Sequence, residues 1–351
     1  MIRRSRWLSG ALIAASGTLV ASGLTVMSGT ASAGDAPETE APAADAHQGH
    51  AALQAAPPGE WIPVDEPVEG IEPLENPPFA EHREFQANCA PTHRLPDDPI
   101  VYPGMPGASH FHTFMGNDST HAGSTTESLL AGGTSCLAPG DRSAYWMPTL
   151  YRGDEAVDPR GVQVIYYKSG IRDHTSVRPF PTGLRYVVGD PFQSAEEFLD
   201  GSVEGWECGD SYNNADIPAH CPEGSQLNVR YQAPSCWDGR HLDSPDHQSH
   251  MSYPVVVDGA DVCPTSHPVA VPMVEFKMAF PVDGDLSDVH LSSGRGYSFH
   301  YDVFNAWDEP TLAAMVEQCI NGGLQCDPRG YDQYNPEHGA VLDENYELPR
   351  A

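Results

Sequence analysis

The eight cysteines of this chain most constrain its folding: Cys89, Cys136, Cys208, Cys221, Cys236, Cys263, Cys319 and Cys326. An even count in a chain built for an oxidising compartment reads as a disulfide framework. A structural zinc cluster is the competing use, and the absence of any Cys-x-x-Cys pair argues against it. Connectivity does not follow from spacing. Neighbour pairing is the expectation: Cys89 with Cys136, Cys208 with Cys221, Cys236 with Cys263, and Cys319 with Cys326. The third bridge would close the polar stretch from Cys236 to Pro254 on itself.

The oxidising compartment is inferred from the N-terminus. Arg3, Arg4 and Arg6 precede a mostly apolar run from Leu8 to Val26, and Ala31-Ser32-Ala33 supplies a small-residue cleavage site. This is the pattern of a secretory signal over residues 1–33, and an extracellular location is expected. Cleavage removes three positive charges and no negative ones, taking the formal charge from −31 to −34. Such acidity opposes binding to nucleic acid or anionic membranes, whose phosphates would repel it. Residues 34–78 are rich in Ala, Pro and Glu. They read as a disordered linker, because such a stretch buries too little apolar area to offset its ordering entropy. His47 and His50 within it read as solvated. One domain is expected over residues 79–336, a tail over 337–351, and a monomer overall.

Strand signals dominate the domain. Leu227 to Gln232 alternates apolar with polar residues, as do Val274, Phe276, Met278 and Phe280 with their neighbours. Val162–Tyr167, Leu184–Val188 and Tyr253–Val257 are β-branched or aromatic runs bounded by turn residues. Helix signals are few. Asp308 and Pro310 open a candidate over Thr311–Ile320 that Asn321-Gly322-Gly323 stops, and Ser194–Leu199 is a shorter one. With 33 prolines and 33 glycines marking many turns, the expected fold is mainly β. It is a sandwich or jelly-roll-like pair of antiparallel sheets with long disulfide-stapled loops and few short helices.

Three polar clusters stand out. His110-Phe111-His112, if extended, puts both imidazoles on one face and Phe111 on the other. His300-Tyr301-Asp302 repeats that logic with an imidazole and a carboxylate. The stretch Cys236–Pro254 carries His241, His247, His250, Asp238, Asp243, Asp246, Arg240 and Trp237, too polar for a core element. It is expected to face the other two clusters. One chemistry is a divalent zinc or copper ion held by His110 and His112 with His250, or His300 in its place, activating water or oxygen. Another is metal-free acid/base work by His247, His300 and Asp302. The third is a buried hydrogen-bond network without turnover. Trp237, Arg240, His241, Asp246, Asn305 and Trp307 are the expected ligand-contacting residues, with Trp307 as a sugar-stacking platform. No His-Glu-x-x-His, Gly-x-Ser-x-Gly or phosphate loop occurs.

These residues also carry a resemblance. The motifs are Asp98-Pro99-Ile100-Val101, Ser109-His110-Phe111-His112, Ser143-Ala144-Tyr145-Trp146-Met147-Pro148, Cys236-Trp237-Asp238-Gly239, Asp246-His247-Gln248-Ser249-His250, Cys263-Pro264 and His300-Tyr301-Asp302. Together they resemble a family of secreted proteins of actinobacteria and filamentous fungi, a domain of unknown function. The chain departs from the family pattern at Ala306, where a glycine is usual. The resemblance implies a secreted, disulfide-bonded domain in polysaccharide-rich surroundings, and it implies no particular reaction. The expected function is therefore a His/Asp-lined cleft that binds, and in one version modifies, an extracellular polysaccharide or polyol. The alternative is a non-enzymatic cell-envelope or carbohydrate-binding protein with structural histidines.

Overall fold

The computed structural model describes residues 59–346; the expected signal segment and the first part of the linker lie outside them. Twelve strands build two large sheets: β1 (Glu84–Gln86), β2 (Pro91–Leu95), β3 (His112–Gly116), β4 (Ala144–Pro148), β5 (Val164–Lys168), β6 (Arg185–Val188), β7 (Ser202–Cys208), β8 (Ser211–Asn214), β9 (Leu227–Gln232), β10 (Met273–Phe280), β11 (Tyr301–Phe304) and β12 (Gln325–Cys326). One sheet runs β8-β7-β9-β10-β5-β1-β12, the other β2-β3-β4-β11-β6. All neighbours are antiparallel except β1 with β12. The fold is mainly β, as the alternating patterns predict.

The two sheets meet through the residues that alternation turns inward. Phe276 of β10 stacks on Tyr301 of β11 at 3.9 Å between ring centroids. The Tyr301 hydroxyl donates to the Val274 carbonyl at 2.9 Å, so even its polar end is satisfied across the interface. Tyr145, Met147, Tyr186 and Val303 join the same core. The other face of the five-stranded sheet carries a second, smaller core of Phe114, Ala144, Trp146, Val187 and Phe304, covered by Ile100 and Leu129. That sheet is thus buried on both faces, which lets polar side chains be carried deep into the protein on its outer side.

The three α-helices are short and capped: α1 (Thr126–Ala131) by Thr125, α2 (Ala195–Gly201) by Ser194, and α3 (Glu309–Met315) by Asp308, whose carboxylate accepts from Thr311 N–H at 3.1 Å. The chain continues from α3 as a π-helical turn over Val316–Asn321. All four disulfides pair sequence neighbours as expected.

Two expectations are corrected. The described part of the linker, residues 59–78, runs along the central polar stretch. Ile62–Pro63 pairs with His241–Asp243, and Val68 N–H donates to the Gly239 carbonyl at 2.8 Å. Gly239 permits this approach: its φ is +74°, and a Cβ there would lie 2.1 Å from the Val68 carbonyl oxygen. Backbone hydrogen bonds, which composition does not reveal, hold this strap. The described part of the tail also folds back, with Leu342 fully buried and its N–H on the Arg329 carbonyl at 2.9 Å. The strand expected at Tyr253–Val257 is found over Val255–Val257, in a half-exposed hairpin with Ala260–Val262.

A buried polar chain crosses the main core. Tyr145 donates to Asp141 Oδ2 at 2.8 Å, Tyr145 and Tyr167 share a 2.5 Å hydrogen bond, and Trp307 Nε1 donates to Tyr167 at 3.0 Å. Burial pushes the Asp141 carboxyl up to about 7. A carboxyl raised in the folded state stabilises the fold below its unfolded value and loses that contribution as pH rises through the folded one. Asp141→Asn is therefore expected to gain stability relative to the wild type between pH 4.5 and pH 7.5. Urea midpoints at both pH values measure this; a difference independent of pH would mean that Asp141 stays ionised throughout.

Candidate metal centre

Pairing of β3 and β11 with β4 brings the His110–His112 and His300–Asp302 clusters together on the outer face of the five-stranded sheet. Asp302 faces Trp146 in register, and Trp146 faces Phe114, two residues from His112. Tyr301 points into the main core instead, and Phe111 is half-exposed. The ring centroids of His110 and His112 lie 4.3 Å apart, those of His110 and His300 5.1 Å, and those of His112 and His300 5.9 Å. One ring nitrogen from each of the three lies within 4.8 Å of the other two.

The tautomers follow from their partners. His112 Nδ1 sits 2.9 Å from the Asp97 carbonyl, and His300 Nδ1 2.9 Å from the Ser298 carbonyl. A carbonyl only accepts, so each Nδ1 carries the hydrogen and each Nε2 presents its lone pair. His112 Nε2 and both nitrogens of His110 are buried without a hydrogen-bond partner. Burial, then the neighbouring His300, pushes His112 down to about 3. Burial pushes His300 down to about 4. Burial together with the two other imidazoles takes His110 well below the usual histidine value. All three are neutral at pH 7, as metal ligation requires.

A second group shares His112. One donor atom each of Asp98, His112 and Asp302 lies within 4.8 Å of the others, and all three residues are buried. Asp98 Oδ1 accepts from the N–H groups of Ile100 and Val101 at 2.9 and 2.8 Å, closing the turn that leads into the covering loop. Both oxygens of Asp302 lack a partner. Burial, then the Asp98 charge, raises the Asp302 carboxyl well above its ordinary value. Glu275, equally buried, shows what a satisfied carboxylate looks like here. It collects Lys168 at 3.3 Å, Arg230 at 2.9 Å and Gln232 at 2.7 Å. A third possible group, Cys89, Cys136 and Asp141, is closed because its two sulfurs are bonded to each other.

The central stretch docks on the free edge of this sheet but adds no imidazole to the trio. His250, expected as a ligand, has Nδ1 on Ser244 Oγ at 2.8 Å and Nε2 on the Arg185 carbonyl at 3.0 Å, so neither nitrogen has a lone pair to spare for a metal alongside these bonds. His247, expected as an acid/base group, sits at a left-handed φ of 58° with Nδ1 on Asp243 Oδ1 at 2.9 Å, while Arg185 holds the other oxygen at 3.0 Å. His241 pairs with Asp238 at 2.5 Å and packs on Trp61 of the strap. Asp246 caps the turn, accepting from Ser244 Oγ at 2.7 Å and from the Ser249 N–H at 2.9 Å. Arg240 is exposed.

The tryptophans expected to contact ligand are core residues. Trp237 is buried with Nε1 on the His241 carbonyl at 2.6 Å, and Trp307 is buried in the Asp141 chain. Asn305 is buried and donates to the Pro181 carbonyl at 2.9 Å. Asp98 was noted only as part of a motif. Its signal, an Asp-Pro start to a Gly/Pro-rich loop just before the paired histidines, was present in the sequence.

Three neutral imidazoles and two buried carboxylates on one face of a disulfide-stapled, mainly β domain define a protein with the donors to hold a metal ion. The chain belongs to the family of a domain of unknown function (DUF1996), whose profile matches residues 98–307. The match begins at Asp98 and spans all five donor residues. No curated protein and no solved structure matches the chain.

Proposed function

We propose that this is a secreted metalloprotein that binds a zinc or copper ion on His110, His112 and His300 and uses it on an extracellular polysaccharide or polyol. The observation that supports this most is the set of carbonyl-anchored Nδ1–H groups at His112 and His300, which leave each Nε2 with its lone pair, in a cluster with a partnerless His110. Three imidazoles leave coordination positions open, and an ion bound there would polarise a water or a substrate hydroxyl. Secretion is supported by the four disulfides; no helix among the described residues is long and apolar enough to cross a membrane. A neutral polymer suits an acidic chain better than an anionic one.

Elemental analysis of the untagged mature protein, purified without chelator, tests the reading beside a His110→Ala/His112→Ala variant. One equivalent of zinc or copper, lost in the variant, is the expected result. No bound metal and no uptake on titration would sink it. A non-enzymatic role, with the histidines as scaffold, is favoured by His250 and His247, whose imidazoles tie loops together. Glycan binding without turnover by metal-loaded protein would select that reading.

A further inference from the structure

We infer that the centre has a second, inner cation seat on Asp98 and Asp302, beside the trihistidine seat, and that it takes an oxygen-preferring divalent ion of the Mn²⁺ type. The inference rests on the metal reading above and deepens it. Asp302 is fully buried, yet neither carboxylate oxygen has a hydrogen-bond partner. Burying a carboxylate without partners is strongly disfavoured, and the fold satisfies Glu275 completely at the same depth. The second carboxylate, Asp98, is also buried; its Oδ1 takes the Ile100 and Val101 N–H groups and the Trp146 indole is its one side-chain hydrogen-bond partner, all of them neutral donors. No Lys or Arg forms an ion pair with either carboxylate among the described residues. Two buried carboxyl groups gathered within ligand distance of each other and of His112 have no cationic side chain beside them to favour their ionised form.

One ion does not serve both groups. With Nδ1 bonded to the Asp97 carbonyl, His112 has a single lone pair, on Nε2, and it goes to one ion. If that ion sits among the imidazoles, the carboxylates remain without a cation of their own. Asp302, with two free oxygens, groups with Asp98 and His112 but not with His110 or His300, so it would serve the inner ion. The donor chemistry divides in the same way: imidazoles suit zinc or copper, whereas carboxylates suit Mn²⁺, Mg²⁺ or Ca²⁺.

The test is a count of ions. Chelator-treated protein is dialysed against Zn²⁺ and Mn²⁺ together, freed of unbound metal and analysed by mass spectrometry, for the wild type, Asp98→Asn, Asp302→Asn and His110→Ala. One zinc and one manganese per chain are expected in the wild type. Both asparagine variants should keep zinc and lose manganese at least tenfold; His110→Ala should do the reverse. Asparagine is isosteric, and circular dichroism checks each fold; if one asparagine variant misfolds, the other decides. One zinc and no manganese or second zinc overturns the inner seat and leaves the metal reading standing. Manganese without zinc overturns the trihistidine reading and leaves the inner seat. Neither metal overturns both.

Discussion

Trp307→Ala is expected to lower the stability of the domain by roughly 3–5 kcal/mol, the usual cost of emptying a buried tryptophan site. The indole is 1 % exposed and meets Phe85 and Tyr167 edge-on at 6.0 and 5.9 Å. Its Nε1 also holds one end of the Tyr167–Tyr145–Asp141 chain, so truncation leaves a phenol short of a donor inside the core. Total stabilities of about 5–15 kcal/mol make such a loss a large fraction of the whole. The urea midpoint should fall steeply while zinc content per folded chain stays unchanged. An unchanged midpoint with weakened glycan binding would return Trp307 to the stacking role that its place beside Asn305 suggests in the sequence.

Asp302→Asn should act in the opposite direction. In chelator-treated protein the wild type carries a buried carboxylate with no donor, and an unsatisfied buried group costs about 1–3 kcal/mol, more when charged. The asparagine cannot ionise and places an amide N–H group beside Asp98 in its stead. The melting temperature of the metal-free variant is therefore expected to exceed that of the metal-free wild type. With metal added the order should reverse, because only the wild type binds the inner ion and gains from it. This pattern is that of a residue kept for binding at the cost of stability. A variant less stable than the wild type under both conditions would show that the carboxylate has a structural partner.

Period-two alternation carried most of what was legible. It placed His110 with His112 and His300 with Asp302, and the same rule identified β9 and β10. It fixes the face a side chain takes but not which distant loop reaches that face. His300 and His250 were therefore equal candidates until the fold showed His250 spending both nitrogens on Ser244 and Arg185. The tryptophans misled for a related reason: a polar neighbourhood in sequence says nothing of depth, and Trp237 and Trp307 hide their rings while their N–H groups find acceptors. The strap over 59–78 was invisible because backbone hydrogen bonds to the central stretch, rather than an apolar pattern, hold it. The helix over Thr126–Ala131 went unmarked because Ser128 occupies the place where a glutamate or glutamine usually announces the cap.

The disulfides all tie near neighbours, the widest spanning 47 positions. None joins the segment that carries His110 and His112 to the strand that follows His300, although most of the domain lies between them in the chain. An ion on those three imidazoles would be the long-range clasp that the cysteines do not supply, closing a far larger loop than any of them. Secretion would then deliver a chain whose local staples are complete but whose distant segments are held together only by strand pairing and packing. Capturing metal outside the cell would be the last step of its maturation, and protease resistance would rise at that step.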